Sequence, residues 1–173
     1  MKKIVVIGPE STGKSTLCQQ LAAHFHTNWV PEYAREYLLT HGTSYTYDDL
    51  LIIAKGQLQS EDYYTNITKA PLLCIDTDMY VMKVWCEFVF EKCHRFILDQ
   101  IAKRKYDLYL LCKTDLPWVK DQLREYPDPH TRDKLYQIYK DLLINQHTPW
   151  VEIYGNYENR LALAIEAVEK VCN

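Results

Sequence analysis

Residues 3–16 read KIVVIGPESTGKST. Gly8 to Ser15 fit the pattern G-x-x-x-x-G-K-[ST], and the β-branched run before them predicts a buried strand. In this pattern two glycines let the backbone curl, so that consecutive N–H groups point at phosphate oxygens, and the following helix adds its positive N-terminal end. The stretch therefore predicts a nucleotide-binding loop between a strand and a helix, but it does not say what is done with the nucleotide.

Each position of this loop has a predicted contact. Lys14 is expected to bridge the β- and γ-phosphates, and Ser15 is expected to ligate Mg²⁺. ATP and Mg²⁺ are therefore the predicted cofactors. The loop residues expected to hold them are Gly8, Glu10, Ser11, Thr12, Gly13, Lys14, Ser15 and Thr16.

Apolar runs alternate with helical patterns along the rest of the chain. Further strands are predicted at 28–31, 71–75, 108–112 and 150–154. Helices are predicted at 14–25, 32–41, from a cap at Asp48 or Asp49 to about 64 with an apolar face at Leu51, Ala54 and Leu58, and at 79–87, 91–103, 128–145 and 156–171. Five strands separated by helices indicate an α/β fold of the P-loop NTPase type, with a five-stranded parallel sheet covered on both faces.

Several polar residues directly follow predicted strands. These are Gly8, Glu32, Asp76 and the segment that begins at Lys113. Ligands of such proteins gather at the carboxyl ends of the strands, which meet at one edge of the sheet. The sequence therefore predicts that these residues converge on one site.

Length and composition limit the classes of protein to consider. The 173 residues suit a single domain over 1–173, and the net charge of −3 gives no electrostatic argument for nucleic acid or an anionic membrane. No apolar run approaches the length of a membrane span. We expect a cytoplasmic protein with a small-molecule partner, six mostly structural, reduced cysteines, and an oligomeric state that the sequence leaves open.

Two aspartates follow the strand predicted at 71–75. Asp76 is expected to act on the magnesium side of the nucleotide, usually through water. Asp78, two residues further on, is expected to point to the same side and to contact a substrate hydroxyl. The alternative for Asp78 is that it caps the helix beginning near Met79.

An acid and a base follow the second predicted strand. Glu32 and Arg35 lie one helical turn apart, where an ordinary pair would be a solvated surface contact. At this edge of the sheet, however, Glu32 is expected to accept a proton from a substrate hydroxyl or to orient it. Arg35 is expected to hold an anionic group or the carboxylate itself, whereas Glu36 is expected to be structural.

Residues 113–132 read KTDLPWVKDQLREYPDPHTR. Cations, acids and two prolines that interrupt regular structure make the part from about 114 to 132 a lid candidate. A lid that closes over phosphate excludes the water that would otherwise hydrolyse ATP. A charged surface helix and turn is the alternative interpretation.

Two other classes of protein share a loop of this kind. The sequence from Lys113 to Asp115 is similar to the guanine-reading motif of GTPases, but Cys112 stands where that motif has Asn or Thr, and no glycine follows Asp76 at the switch position. An ATP-binding regulatory module without transfer chemistry stays open.

The ordered set GPESTGKST, EYAREY, IAKGQ, IDTD and PWVKDQLR resembles the ribosylnicotinamide kinase domain family, the P-loop AAA-type domain of NadR proteins. The resemblance spans nearly the whole chain. It implies a transferase that phosphorylates the ribose 5′-hydroxyl of nicotinamide riboside with ATP and Mg²⁺ in NAD biosynthesis. Phosphorylation of another nucleoside or small molecule is the alternative.

The resemblance also assigns residues. It implies catalytic roles for Lys14, Glu32, Asp76 and Arg124, with Ser15 and Asp76 on the metal. Residues facing the riboside are Glu32, Tyr33, Arg35, Asp78, Trp118 and Asp121. Asn156 is placed at the adenine. Two positions depart from the family pattern, Pro31 where an aromatic residue is frequent and Gln122 where a glycine is usual, so Tyr33, Trp85 or Trp118 would have to supply the aromatic face for a cationic ring.

Overall fold

A computed structural model of the chain describes residues 1–172, and Asn173, the last residue of the predicted domain, lies outside the described residues. Five parallel strands form one sheet in the order β2-β3-β1-β4-β5. The strands are β1 (Lys2–Ile7), β2 (Trp29–Val30), β3 (Leu72–Asp76), β4 (Leu108–Cys112) and β5 (Trp150–Ile153). The predicted P-loop fold and its parallel sheet are confirmed.

The described residues also form seven helices. They are α1 (Lys14–His24), α2 (Tyr33–His41), α3 (Tyr47–Ile67), α4 (Met79–Phe90), α5 (Arg95–Lys103), α6 (Pro129–Ile144) and α7 (Tyr157–Cys172). Each predicted helix is present. The bounds differ most for α5, which begins at Arg95 rather than near 91, because Glu91 adopts a left-handed φ of 56° at the end of α4.

The sheet is buried on both faces, since β3 and β4 are buried at every position and β1 is buried from Ile4 onward. Helices α1 and α7 pack on one face, and α4 and α6 pack on the other. This burial explains why the strands read as apolar runs instead of alternating patterns. None of the helices in the described part of the chain is long and apolar enough to cross a membrane.

Helix α3 corrects two details of the prediction. Thr46, rather than Asp48 or Asp49, caps it, and the Thr46 and Asp49 side chains bond to each other's backbone N–H in a capping box. Leu50 and Ile53 are buried, whereas Leu51 is only partly buried. Ala54 and Leu58 of the predicted apolar face are buried, so that face is confirmed except at Leu51.

Residues 114–128, called here the 114–128 segment, contain neither helix nor strand. Asp128 caps α6 by accepting a hydrogen bond from the Thr131 N–H at 2.7 Å. The predicted lid candidate therefore ends earlier than 132, and Arg132 lies in the first turns of α6.

Candidate functional site

A cavity of about 680 Å³ opens at the edge where β1, β2 and β3 end. One part of its lining is the phosphate loop, residues 8–16, together with Glu32 and Asp76. Another part is mainly apolar and aromatic and comes from α2, α4 and α6. That wall includes Leu38, Val81, Val84, Trp85, Phe88, Leu135 and Tyr139. The predicted convergence of the strand ends is therefore present in the structure.

The phosphate loop has a backbone that requires its two outer glycines. Gly8 has φ 141°, and a Cβ built on it would lie 2.7 Å from the carbonyl oxygen of Cys112. Gly13 has φ 76° and stands at the N-terminus of α1. The loop is also tied internally, because Thr12 Oγ1 and Lys14 Nζ both donate to the carbonyl of Pro9, at 2.7 and 2.9 Å. The loop thus has the shape of an anion cradle.

Ser15 and Asp76 meet below the loop, as predicted. Ser15 Oγ donates to Asp76 Oδ2 at 2.5 Å, whereas Asp76 Oδ1 is buried and has no hydrogen-bond partner among residues 1–172. Burial raises the pKa of Asp76, the nearby carboxylate of Glu32 raises it further, and Lys14 opposes the shift. A hydroxyl and a carboxylate with a free, buried oxygen are suitable ligands for Mg²⁺.

The carboxylate of Glu32 lies beside this pair. Glu32 stands at the N-cap of α2, but its side chain accepts no capping hydrogen bond within the part of the chain that the structure describes. Its oxygens are therefore available to the cavity that it lines. Position and availability agree with the role that the sequence indicates for Glu32.

Arg35 and Asp121 join α2 to the 114–128 segment. Two parallel hydrogen bonds link them, at 2.9 and 3.4 Å, and both side chains line the cavity. The Arg35 hydrogen bond lowers the pKa of Asp121, and the same bond raises the pKa of Arg35. Arg124 also lines the cavity, and its Nη1 donates to the Val119 carbonyl at 2.5 Å.

Asp78 corrects the sequence prediction. Strand β3 ends at Asp76, and Thr77 has φ 78°, so the two aspartates do not share one strand face. Asp78 is 2% exposed, accepts hydrogen bonds from the Tyr80 and Val81 N–H groups, and accepts another from the Tyr109 hydroxyl at 2.8 Å. It therefore caps α4, which is the alternative that the sequence had left open.

The buried Asp78 leads to a prediction on stability. Burial raises its pKa to about 7, so the folded state binds this proton more tightly than the unfolded state does. This contribution to the free energy of unfolding is full below pH 4 and decreases as the pH rises towards 7. Asp78→Asn keeps the shape of the cap and cannot ionise. Relative to wild type, the variant should gain about 2–4 kcal/mol between pH 4 and pH 8.

Urea unfolding of both proteins across this pH range measures the difference. Asp76 is present in both proteins, so its own titration cancels in the comparison. Parallel curves for wild type and Asp78→Asn would show that the buried carboxyl is not protonated in the fold.

Three further predicted contacts lie outside the cavity. The ring of Tyr33 packs onto Gly56 of α3. A Cβ at position 56 would lie 2.1 Å from this ring, so only glycine leaves room for it. Trp118 is half-buried and turns its indole N–H towards Glu10, at 3.5 Å. Asn156 accepts a hydrogen bond from the Asn159 N–H and so caps the start of α7. None of these side chains lines the cavity formed by the described residues.

Other aromatic residues form part of the cavity wall instead, and only one of them was predicted from the sequence. Tyr45 and Trp85 are joined by a hydrogen bond of 2.9 Å from the indole N–H to the hydroxyl, and their rings meet edge to face at 4.9 Å. Phe88 and Tyr139 complete this wall. Of these, only Trp85 was identified as a candidate, because helical periodicity does not distinguish a cavity wall from a core.

Comparison with known proteins places the chain in a family. The AAA_28 family, described as an AAA domain, matches residues 3–160. The chain belongs to the AAA_28 family. This AAA_28 chain is 27% identical, over 99% of its length, to the trifunctional NAD biosynthesis/regulator protein NadR of Escherichia coli (strain K12) and to that of Salmonella typhimurium (strain LT2). It spans 43% of the length of these relatives.

Solved structures agree with this assignment. The crystal structure of NadR protein in complex with NR matches 98% of this AAA_28 chain and 49% of its own, with a TM-score of 0.78 and 25% identity. The complex with NAD and AMP-PNP matches the same shares, with a TM-score of 0.74 and 25% identity. A deoxyadenosine kinase from M. mycoides with bound dATP, at 10% identity and a TM-score of 0.61, shares the fold over 98% of this chain and 100% of its own. The resemblance to the NadR domain is confirmed.

The AAA_28 chain also lacks a free guanine reader at the GTPase-like position. Asp115 Oδ2 accepts the Gly155 N–H at 2.6 Å, and Asp115 Oδ1 accepts a hydrogen bond from the buried Arg160. Both oxygens of this carboxylate are engaged within the fold, so a guanine would have to compete with these two contacts for Asp115. The structure thus argues against the GTPase interpretation.

Proposed function

We propose that the chain is an ATP-dependent kinase that phosphorylates the ribose 5′-hydroxyl of nicotinamide riboside. One observation carries the proposal. The phosphate loop, the Ser15–Asp76 pair and Glu32 line the same cavity as an aromatic wall, and this cavity is large enough for a nucleoside. Known proteins give support, because the curated relatives are NAD biosynthesis/regulator proteins and the similar NadR structures hold NR in one case and NAD with AMP-PNP in the other.

The donor side of the cavity would hold ATP. The loop N–H groups and Lys14 bind the phosphates, and Ser15 and Asp76 would hold Mg²⁺, which neutralises charge on the phosphates when it is bound. No group of three or more His, Cys, Asp or Glu side chains in residues 1–172 is placed to hold a metal alone. Such a metal would therefore take its other ligands from phosphate and water.

Glu32 would act on the acceptor side. The hydroxyl oxygen of the acceptor attacks the γ-phosphorus in line, the bond from that phosphorus to the β–γ bridging oxygen breaks, and ADP leaves. The proton of the hydroxyl passes to the Glu32 carboxylate. Arg124, which lines the same cavity, would stabilise the transferred group as its negative charge spreads.

Charge and shape in the cavity favour a cationic, planar acceptor. Five carboxylates line it, against the cations Lys14, Arg35 and Arg124. These carboxylates belong to Glu10, Glu32, Asp76, Asp121 and Glu125. The faces and edges of Trp85, Phe88 and Tyr139 offer the apolar and quadrupolar contacts that a positively charged ring prefers.

A coupled ADP-release screen tests the proposal. The acceptors are nicotinamide riboside, a pyrimidine nucleoside and a purine nucleoside, each with ATP and Mg²⁺. Release that rises at least about 10-fold with nicotinamide riboside over the other acceptors is the expected result, since the aromatic wall and the carboxylates favour a cationic ring over a neutral one.

Other outcomes of the screen contradict parts of the proposal. Preference for a different nucleoside would keep the kinase and change the substrate. No acceptor-stimulated release, with ATP binding retained by calorimetry, would indicate a regulatory module instead. Release that is unchanged when EDTA replaces Mg²⁺ would remove the metal from the proposal.

A further inference from the structure

Glu10 lies in the phosphate loop, but its side chain faces the 114–128 segment. Glu10 Oε2 accepts the Glu125 N–H at 3.0 Å. Glu10 Oε1 accepts the Tyr126 N–H at 2.5 Å and the indole N–H of Trp118 at 3.5 Å. One carboxylate thus binds three donors that lie more than 100 residues further along the chain. The sequence pattern had grouped Glu10 with the nucleotide contacts, because every position of the loop motif is close to phosphate.

The neighbouring residue adds a second connection to the same segment. Ser11 Oγ accepts the Val119 N–H at 3.0 Å, and Ser11 has φ 57°, a left-handed conformation that non-glycine residues rarely adopt. Arg132, 5% exposed, donates from Nη2 to the carbonyls of Ser11 and Leu116, at 3.3 and 3.4 Å. The strained half of the phosphate loop is therefore held by the 114–128 segment and by Arg132 of α6.

The chemistry of these contacts indicates why a carboxylate is present. A negative charge beside a phosphate site repels the nucleotide, so a phosphate contact alone does not explain Glu10. Backbone N–H groups that point at a carboxylate make strong, charge-assisted hydrogen bonds. The Arg35–Asp121 pair and the hydrogen bond from Tyr45 to Glu125, at 2.8 Å, hold the same segment from the acceptor side.

We propose that Glu10 is a positioning residue that fastens the 114–128 segment over the phosphate loop, so that the γ-phosphoryl group goes to the acceptor hydroxyl and not to water. The inference rests on the proposed kinase function. It differs from a binding role, because Glu10 acts on the nucleotide only through the segment that it holds. Loss of the carboxylate should therefore change the fate of ATP more than its binding.

Proteolysis gives a measurement that does not depend on activity. Lys120 is exposed and Arg124 is partly exposed in the 114–128 segment, and trypsin cleaves after either residue once the segment opens. In Glu10→Ala, cleavage there should be about 10-fold faster than in wild type, since the three donors lose a charged acceptor. Glu10→Gln keeps one carbonyl oxygen and should fall between the two. Glu169→Ala, which removes an exposed carboxylate from α7, should cleave as wild type does.

The second measurement follows the phosphoryl group. The ratio of ATP hydrolysed to acceptor phosphorylated should rise about 10-fold in Glu10→Ala, and by less in Glu10→Gln, because an open segment admits water. The Kd for ATP should stay within about twofold of the wild-type value, and the melting temperature should stay close to that of wild type. These two results distinguish positioning from general damage to the fold. If Glu10→Ala does not fold, the same two readouts on Glu10→Gln decide the question.

The possible failures are distinguishable. Wild-type cleavage rates and ratios in both Glu10 variants would overturn the positioning role. Absence of acceptor-dependent turnover in wild type would overturn the proposed function. The trypsin cleavage rates would still show whether Glu10 fastens the 114–128 segment.

Discussion

Lys14→Ala is expected to lower turnover by about 1,000-fold or more while the fold stays intact. Lys14 is the cation of the phosphate loop, and its side chain lines the cavity and donates a hydrogen bond to the Pro9 carbonyl at 2.9 Å. As the bond to the γ-phosphorus breaks, negative charge develops on the leaving oxygen of ADP, so a cation between the β- and γ-phosphates stabilises the transition state more than bound ATP.

The fold does not depend on this side chain. Lys14 is partly exposed, and its replacement by alanine at the start of α1 keeps a good helix former there. Circular dichroism and urea unfolding should therefore match wild type to within about 1 kcal/mol. Lys69→Ala, which removes an exposed lysine before β3, is the matched control and should keep full turnover. Turnover within tenfold of wild type in Lys14→Ala would show that the loop lysine does not act on the transferred group.

The sequence predicted the parts of the site that sit on regular structure. A strand end fixes both the place and the direction of the residue after it, so Gly8, Glu32 and Asp76 could be assigned to one edge from spacing alone. The prediction for Asp78 was wrong because the strand ends at Asp76 and Thr77 has a left-handed conformation, which no sequence pattern indicates. The error came from local backbone geometry and not from the choice of site.

The remaining differences come from contacts between distant parts of the chain. The ring of Tyr33 needs Gly56, and the carboxylate of Glu10 needs N–H groups near 125. Neither pairing has a periodicity, because each joins a loop or a helix end to a position far away in sequence. Such contacts become visible only when the topology has brought both ends together, which is why the sequence did not indicate that the Trp118 indole N–H points towards Glu10.

Glu32→Gln is the second variant with a large expected effect. Turnover should fall by about 100- to 10,000-fold, the range that positioned acid–base groups contribute, while the Kd for ATP should change by less than about twofold. The amide has the shape of the carboxylate but cannot take the proton from the acceptor hydroxyl. Burial raises the pKa of Asp76, and the charge of Glu32 raises it further. The substitution removes this second contribution, so the Asp76 carboxyl should stay ionised to lower pH in the variant.

That second effect separates the two roles of Glu32. If Glu32 only tuned Asp76, Glu32→Gln would favour metal binding and would leave turnover equal to wild type or higher at low pH. If Glu32 is the base, turnover stays low at every pH, because the amide cannot take the proton of the acceptor hydroxyl at any pH. Glu36→Gln, one helical turn further along α2 and exposed, controls for the loss of a carboxylate and should keep full turnover. Full activity in Glu32→Gln would exclude Glu32 from the reaction.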